Sequence, residues 1–442
     1  MNNQIKINET IKPFKKKILV SSDKSLSIRS VLLSSIAVGK SKIFNLSDSE
    51  DVQNSLKAVK KIGIKYIIKK KYTEIYGLGI NGFKIKKNIT INAGNSGTLA
   101  RCILGLCSAI KHKIRLIGDK SLSKRDFSRV IKPLNYFGVN IKSKKGMLPL
   151  EIIGSELLRP IKFYESKGSA QIKTCIIFSA LNTPGITKLK AMKSRDHTEL
   201  FLKSLKYPIK INRKKKFDLI DVKGLKQFKG FNYKIPGDIS SASFFIVLTL
   251  LSKNSEILIK NININPSRIG IIKILNRMNA KIKIVNKKNY KGEYIGDIKV
   301  KSSKKFKSIN CPKSLNSSAI DEFLLIFLIA CKSRGISRFK SLGELNKKES
   351  PRLDVAIKFM KMIGIKVSRN KNDIKIYGNP KLKLYGKYHV KNYLKDHRVF
   401  MMSVIAALTL GGKTWKIEDK DSINTSFPNF LRVINKLGGK II

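Results

Sequence analysis

One phrase returns six times along this chain, and it constrains the fold more than any other feature. Each copy runs from helix-period apolar residues through a small residue into an alternating strand, a basic turn and a second strand. The copies are SLKAVKKIGIKYIIKKKYTEIYG from Ser55, VIKPLNYFGVNIKSKKGMLPLEIIG from Val130 and FLKSLKYPIKINRKKKFDLIDV from Phe201. IIKILNRMNAKIKIVNKKNYKGEYIGDIKV follows from Ile271 and AIKFMKMIGIKVSRNKNDIKIYG from Ala356. A sixth, FLRVINKLGGKII from Phe430, ends the chain without its second strand. The pivots Gly63, Gly138, Pro208, Asn279, Gly364 and Gly438 are spaced by 75, 70, 71, 85 and 74 residues.

The physics of one copy is legible. Leu56, Val59 and Ile62 form a helical apolar stripe, and Gly63 suits the left-handed residue that closes such a helix. Ile64, Tyr66 and Ile68 then alternate as a strand. Asn279 tolerates the same left-handed turn, whereas Pro208 does not, so the third copy must end its helix differently. A unit this long exceeds the ~33–47 residues of common helical solenoids. It has room for helices and several strands, and six such units split three and three predict two similar α/β domains.

Composition sets the outer bounds. The 442 residues include 42% hydrophobic, enough for packed cores, and 91 Lys+Arg against 29 Asp+Glu give +62. That excludes a carboxylate-rich metal store and favours, without establishing, an anionic partner such as nucleic acid. The lysines are spread over the whole chain and only 16 of the basic residues are Arg, a bias that reads first as compositional drift. Five cysteines (Cys102, Cys107, Cys175, Cys311, Cys331) form no CxxC pair and no even framework, as in a reducing compartment. The apolar runs Phe244–Leu251 and Phe323–Cys331 are about half the ~20 residues of a membrane span, and the N-terminus has no signal-peptide pattern. A soluble, cytoplasmic protein is expected.

Polar phrases sit between the copies, typically just before an apolar helical stretch. The first is Ser21-Ser22-Asp23-Lys24-Ser25-Leu26-Ser27-Ile28-Arg29, and the second Ala93-Gly94-Asn95-Ser96-Gly97-Thr98-Leu99-Ala100-Arg101. Lys124-Arg125-Asp126, Gly168-Ser169-Ala170-Gln171-Ile172-Lys173 and Ser194-Arg195-Asp196-His197-Thr198-Glu199 follow. The second half carries Pro236-Gly237-Asp238-Ile239-Ser240-Ser241-Ala242, Asp321-Glu322, the Glu344–Arg352 stretch and Asp396-His397-Arg398. Taken singly, each reads equally as a helix cap or a solvated turn. Hydroxyls and backbone N–H groups at a helix start also make an anion site, which Lys and Arg reinforce.

Scarce arginine links the phrases. Arg29, Arg101, Arg125, Arg195, Arg352 and Arg398 all fall within them. Where drift permits lysine, an arginine that persists suggests bidentate grip on carboxylate or phosphate. The residues therefore point to a small ligand bearing both groups, with helix starts from both halves converging on it. Asp321 and Glu349 are the leading acid–base candidates. No Walker A loop, GxGxxG after a strand or metal-ligand spacing is present, so no cofactor and no metal are expected.

In this order, DKSLSIR, GNSGTLAR, SAQIK, SRDHTE, PGDISSA, IDE, KKES with Arg352, and DHR resemble the enolpyruvyl transferase family, in the branch acting on shikimate 3-phosphate. The resemblance spans roughly residues 15–435. It implies a two-domain, inside-out α/β barrel, each domain three βαβαββ-like repeats around a cleft, with residues 22–236 in one domain and 1–21 with 237–442 in the other. It implies hinges near Ser21 and Pro236. The implied reaction joins phosphoenolpyruvate to the 5-hydroxyl of shikimate 3-phosphate, releasing phosphate, in the pathway to chorismate and the aromatic amino acids.

The resemblance also implies roles. Lys24, Gly97, Arg125, Gln171, Arg352 and Arg398 are expected at phosphoenolpyruvate. Lys24, Ser25, Arg29, Ser169, Gln171, Ser194, Asp321 and Lys348 are expected at shikimate 3-phosphate. Asp321 would take the 5-hydroxyl proton and Glu349 would help protonate the methylene carbon, with Lys24 beside them among the catalytic groups. Cationic forks lower the repulsion between two polyanions, and closure expels water. A monomer without membrane or specific nucleic-acid partner is expected.

The chain departs from the family pattern at Ser21-Ser22 (usually Pro-Gly), Ile28 (polar), Asp126 (Pro) and Pro351 (acidic). Asn424-Thr425 stand where many members have a phosphoenolpyruvate-binding lysine, which predicts a weaker grip on that ligand. Asp126, next to Arg125, predicts competition with the ligand. The sister enzymes that act on UDP-N-acetylglucosamine carry a loop cysteine as proton donor, and Gly118–Arg129 contains none. A basic nucleic-acid-binding protein, the other alternative, calls for aromatics amid a basic patch, and no such patch is evident.

Overall fold

The structure is a computed structural model that describes residues 3–83, 85 and 87–442. The chain forms two compact units, one comprising Ser22–Pro236 with Tyr290–Glu293 and the other Met1–Ser21, Gly237–Asn289 and Tyr294–Ile442. Each has its own hydrophobic core and three small sheets.

Two kinds of helix alternate, and their sequences explain why. Lys24–Ser35, Gly97–Leu106 and Ala170–Leu181 in the first unit, and Ile239–Leu251, Phe323–Cys331 and His397–Leu410 in the second, are buried along nearly every face. Such all-round apolar segments form the middle of each unit. The helices of the repeated phrase are amphipathic instead: in Glu50–Lys61, Leu56 and Val59 are buried while Lys57 and Lys60 face water. The sheets lie against the buried helices, as Phe217–Lys223 lies against Ala170–Leu181 and Thr414–Glu418 against His397–Leu410. Strand alternation disposes of the charge. In Ile186–Met192 the residues Leu189 and Ala191 point inward and Lys188 and Lys190 outward, so a chain of +62 builds ordinary cores.

Five sheets share one pattern: a parallel pair, then an antiparallel strand, then an antiparallel edge, as in Lys162–Glu165, Ile186–Met192, Phe217–Lys223 and Ile209–Arg213. The sixth copy, short of a strand in sequence, is completed from the other end of the chain. Gln4–Ile7 pairs antiparallel with Thr414–Glu418, and Lys6 exchanges two backbone hydrogen bonds with Ile442 at 2.7 and 2.9 Å.

The pivots behave as one motif. Gly63, Gly138, Asn279, Gly364 and Gly438 all have positive φ, between 68° and 99°. In each, the pivot N–H bonds back to the helix and the next N–H reaches one residue further, as with Gly63 N to Lys60 O and Ile64 N to Val59 O. The third copy keeps the motif but moves it. Lys206, at φ 57°, takes the left-handed place, Tyr207 N bonds to Leu202 O, and Pro208 follows where no N–H is needed.

Candidate active site

A helix buried on all sides still presents unsatisfied N–H groups at its start, and the polar phrases meet that need. Asp23, Ser96, Ser169, Asp238 and Asp396 each accept a hydrogen bond from a first-turn N–H in five of the six buried helices, and Phe323–Cys331 has no such side-chain cap. The cap reading is therefore right for five phrases, and the caps fix where the neighbouring charged side chains stand.

In the first unit, Lys24 Nζ lies 2.7 Å from Asp51 Oδ2, both largely buried. Arg29, one turn on, lies inside the fold, with Nε donating to Thr198 Oγ1 at 2.9 Å, NH2 to Thr174 Oγ1 at 3.2 Å and NH1 to the Ser25 carbonyl at 3.1 Å. Burial lowers its pKa, opposed by Cys102 and Glu199. Glu199 also pairs with the fully buried Lys173 at 2.6 Å. Asp23 also acts on Arg29 and Glu165 on Lys173, so the two buried cations lie among three buried carboxylates. Ser194 Oγ is buried with no hydrogen-bond partner among the described residues. Ser169 sits on a loop held by Glu165, whose carboxylate accepts the N–H groups of Lys167, Gly168 and Ser169 at 2.9–3.1 Å. Burial raises that carboxyl's pKa against the pull of those bonds.

Gly97 opens its helix where two arginines crowd in. A Cβ there would stand 2.9 Å from Arg101 NH1 and 3.1 Å from Arg125 NH1, so two guanidinium groups lie against one bare helix start. Arg101 NH1 donates to Gln171 Oε1 at 2.8 Å, and Gln171 Nε2 donates to Thr98 Oγ1 at 3.1 Å. Arg125 NH2 donates to Asn95 Oδ1 at 2.9 Å. Burial first, and then Arg125 and Arg129, lower the Arg101 pKa to about 10. Cations crowded at a helix start are the electrostatics of an anion site. Asp126 does not turn toward Arg125: its Oδ1 accepts from Ser128 N at 2.8 Å and its Oδ2 lies 3.7 Å from Arg129 Nε.

In the second unit one carboxylate is ringed by cations. Asp321 lies 3.2 Å from Lys348 Nζ, 3.5 Å from Arg352 NH1 and 3.8 Å from Arg398 NH2. Arg352, 1% exposed at its side chain, also meets Asp396 at 2.8 Å and hydrogen-bonds Glu349. Burial alone would lower the Arg352 pKa, but Asp396 and Glu349 raise it overall. Asp396 is likewise pushed up by burial and pulled below its usual value by Arg352. Asp321 and Glu349, which the sequence names as acid–base candidates, thus touch the same guanidinium. Pro351 stands just before the helix Arg352–Met362, where a missing N–H costs nothing. Ile28 is buried in the core. Thr425 Oγ1 lies 3.2 Å from His397 Nδ1.

The description "EPSP synthase (3-phosphoshikimate 1-carboxyvinyltransferase)" belongs to the family model that matches residues 8–434. This chain belongs to the EPSP synthase family. The 3-phosphoshikimate 1-carboxyvinyltransferase of Ruthia magnifica is 38% identical over 427 residues, 96% of this chain and 95% of that one. The enzyme of that name from Bartonella quintana is 37% identical over 428 residues, 96% of each. Among solved structures, EPSP synthase from Acinetobacter baumannii superposes with a TM-score of 0.86 at 32% identity, covering 99% of both chains. The enolpyruvyl transferase NikO from Streptomyces tendae, at 12% identity and TM-score 0.72, shares the fold.

Within the EPSP synthase fold, sequence reasoning overlooked the residues that hold the named ones in place. Asn95 and Thr98 lay inside a recognised phrase and offered amide and hydroxyl partners. Thr174, Asp51 and Glu165 lay outside any motif and become visible only through what they touch.

Proposed function

We propose that the chain transfers the enolpyruvyl group of phosphoenolpyruvate to the 5-hydroxyl of shikimate 3-phosphate, giving 5-enolpyruvylshikimate 3-phosphate and phosphate. Family membership supports the reaction, and the cation-ringed Asp321 is the observation that carries the chemistry. In this reading Asp321 accepts the 5-hydroxyl proton as oxygen attacks C2 of phosphoenolpyruvate. Glu349 delivers a proton to the methylene carbon, giving a tetrahedral intermediate; loss of a proton from the new methyl group as the C2–O bond to phosphate breaks restores the double bond and releases phosphate, with Lys24 counted among the catalytic groups. Anionic ligands share the positive charge of Lys348, Arg352 and Arg398, which leaves Asp321 a better base than it is in their sole company. General acid–base help of this kind contributes about 10²–10⁴-fold.

For binding, Lys24, Gly97, Arg125, Gln171, Arg352 and Arg398 are assigned to phosphoenolpyruvate. Shikimate 3-phosphate is assigned to Lys24, Ser25, Arg29, Ser169, Gln171, Ser194, Asp321 and Lys348. The buried Ser194 hydroxyl, with no hydrogen-bond partner among the described residues, supports the phosphate end. Arg29 bonds the protein through each of its three nitrogens, and two of its five N–H groups are left over in this set for the ligand. Among the described residues no single helix is long and apolar enough to cross a membrane. The reading places the enzyme in the cytoplasm as a monomer acting on two water-soluble anions.

The test is phosphate release with both substrates against each alone. Turnover is expected only with both, and release supported by UDP-N-acetylglucosamine in place of shikimate 3-phosphate would reassign the acceptor.

A further inference from the structure

Behind Asp321 in the second unit lies a buried polar chain that the reaction itself does not call for. Arg268, 1% exposed at its side chain, directs NH2 at both Asp238 Oδ1 and Ser240 Oγ, each at 2.9 Å. Because Ser240 Oγ accepts there, its one proton is free to go elsewhere, and it goes to Glu322 Oε1 at 2.5 Å. The Glu322 side chain is fully buried, and its Oε1 lies 3.9 Å from Arg398 NH1. The same NH1 donates to the Asp321 backbone carbonyl at 3.2 Å. The other end of the arrangement is fixed as well, since Asp396 accepts the Arg398 backbone N–H at 3.0 Å.

We propose that Glu322 is a positioning residue for phosphoenolpyruvate, acting through Arg398: the chain Arg268–Ser240–Glu322 sets the plane of that guanidinium. A buried carboxylate is costly, and the segment it opens, FLLIFLIAC, is apolar throughout. Packing alone would be served better by a hydrophobic residue. At 3.9 Å Glu322 is beyond hydrogen-bond reach of Arg398, so it attracts the guanidinium without consuming an N–H. Together with the Asp321 carbonyl it holds the NH1 edge, while NH2 faces the Asp321 carboxylate at 3.8 Å, outside hydrogen-bond reach, and keeps its N–H groups for a ligand. The inference rests on Arg398 being a phosphoenolpyruvate ligand, as assigned above.

The experiment is steady-state kinetics with each substrate varied at saturation of the other. Glu322→Gln keeps an acceptor for Ser240 and removes the charge. The KM for phosphoenolpyruvate is expected to rise about tenfold, equivalent to about 1.4 kcal/mol, with kcat and the KM for shikimate 3-phosphate within about threefold of the parent. Ser240→Ala is expected to raise the same KM by a smaller factor. In an Arg398→Gln background, Glu322→Gln should add nothing, because the effect runs through that side chain. A purely structural role would lower the active fraction and leave KM alone. An unchanged KM in Glu322→Gln overturns the proposal while Arg398→Gln still raises it. An unchanged KM in Arg398→Gln itself overturns both the proposal and the assignment beneath it. If Glu322→Gln fails to fold, Ser240→Ala decides by the same criterion.

Discussion

Arg352 and Asp396 form a two-pronged pair inside the second unit: Arg352 Nε donates to Asp396 Oδ2 at 2.8 Å and NH2 to Oδ1 at 3.2 Å. Neither side chain is more than 1% exposed. Asp396 also caps the helix His397–Leu410 and accepts the Ser350 hydroxyl at 2.8 Å. One carboxylate therefore ties a core helix to the loop that carries Glu349. Asp396→Asn is expected to destabilise the protein by about 1.5–3 kcal/mol, because it removes the charged partner of Arg352 while Asp321 and Glu349 still face that guanidinium. Urea unfolding of the two proteins measures it, and a loss under about 1 kcal/mol would deny the pair its structural weight.

The same pair predicts acid sensitivity. The Asp396 carboxyl titrates below its usual value when folded and near about 3.9 when unfolded. Its contribution is thus complete above about 3.9 and is lost as pH falls from there through the lowered native value. Between pH 5 and pH 3, stability of the parent should fall more steeply than that of Asp396→Asn, as read by denaturant midpoints at each pH. Parallel slopes would remove Asp396 from the acid response.

At the helix start Gly97–Leu106, an added methyl should be felt by the ligand rather than by the fold. Its nearest neighbours are the flexible ends of Arg101 and Arg125. Gly97→Ala is expected to raise the KM for phosphoenolpyruvate about tenfold, near 1.4 kcal/mol, with melting temperature shifted by only a few degrees. A normal KM would place the ligand away from this face.

For the chemical step, Asp321→Asn and Glu349→Gln are each expected to lower kcat by at least about 10² while both substrates still bind. Calorimetric titration with shikimate 3-phosphate separates the two effects. A near-normal kcat in either variant removes that residue from proton transfer.

Lys206 offers a test of the repeat. A lysine at φ 57° sits where the other copies use glycine or asparagine, and left-handed backbone costs about 1–2 kcal/mol for a residue with a Cβ. Lys206→Gly should stabilise the protein by about 0.5–1 kcal/mol after the added chain entropy of glycine is subtracted. Thermal unfolding that moved downward instead would show that the lysine side chain outweighs the strain.

The amino-acid sequence by itself determined the local matters: where helices stop, which faces are apolar, and which short phrases mark the EPSP synthase family. These depend on neighbours within a turn or two, so Leu56, Val59 and Gly63 carry their structural meaning in their spacing. The displaced pivot at Lys206 was half legible, since Pro208 announced that the turn must differ without saying where it went. Tertiary structure alone decided the rest. Gln4–Ile7 completes a sheet more than four hundred residues away, Asp126 turns from Arg125 to Ser128, and Ser240 links Glu322 to Arg268. The reason is physical: the partner of a buried charge is chosen by which groups folding brings within a few ångströms, and no periodicity along the chain records that distance.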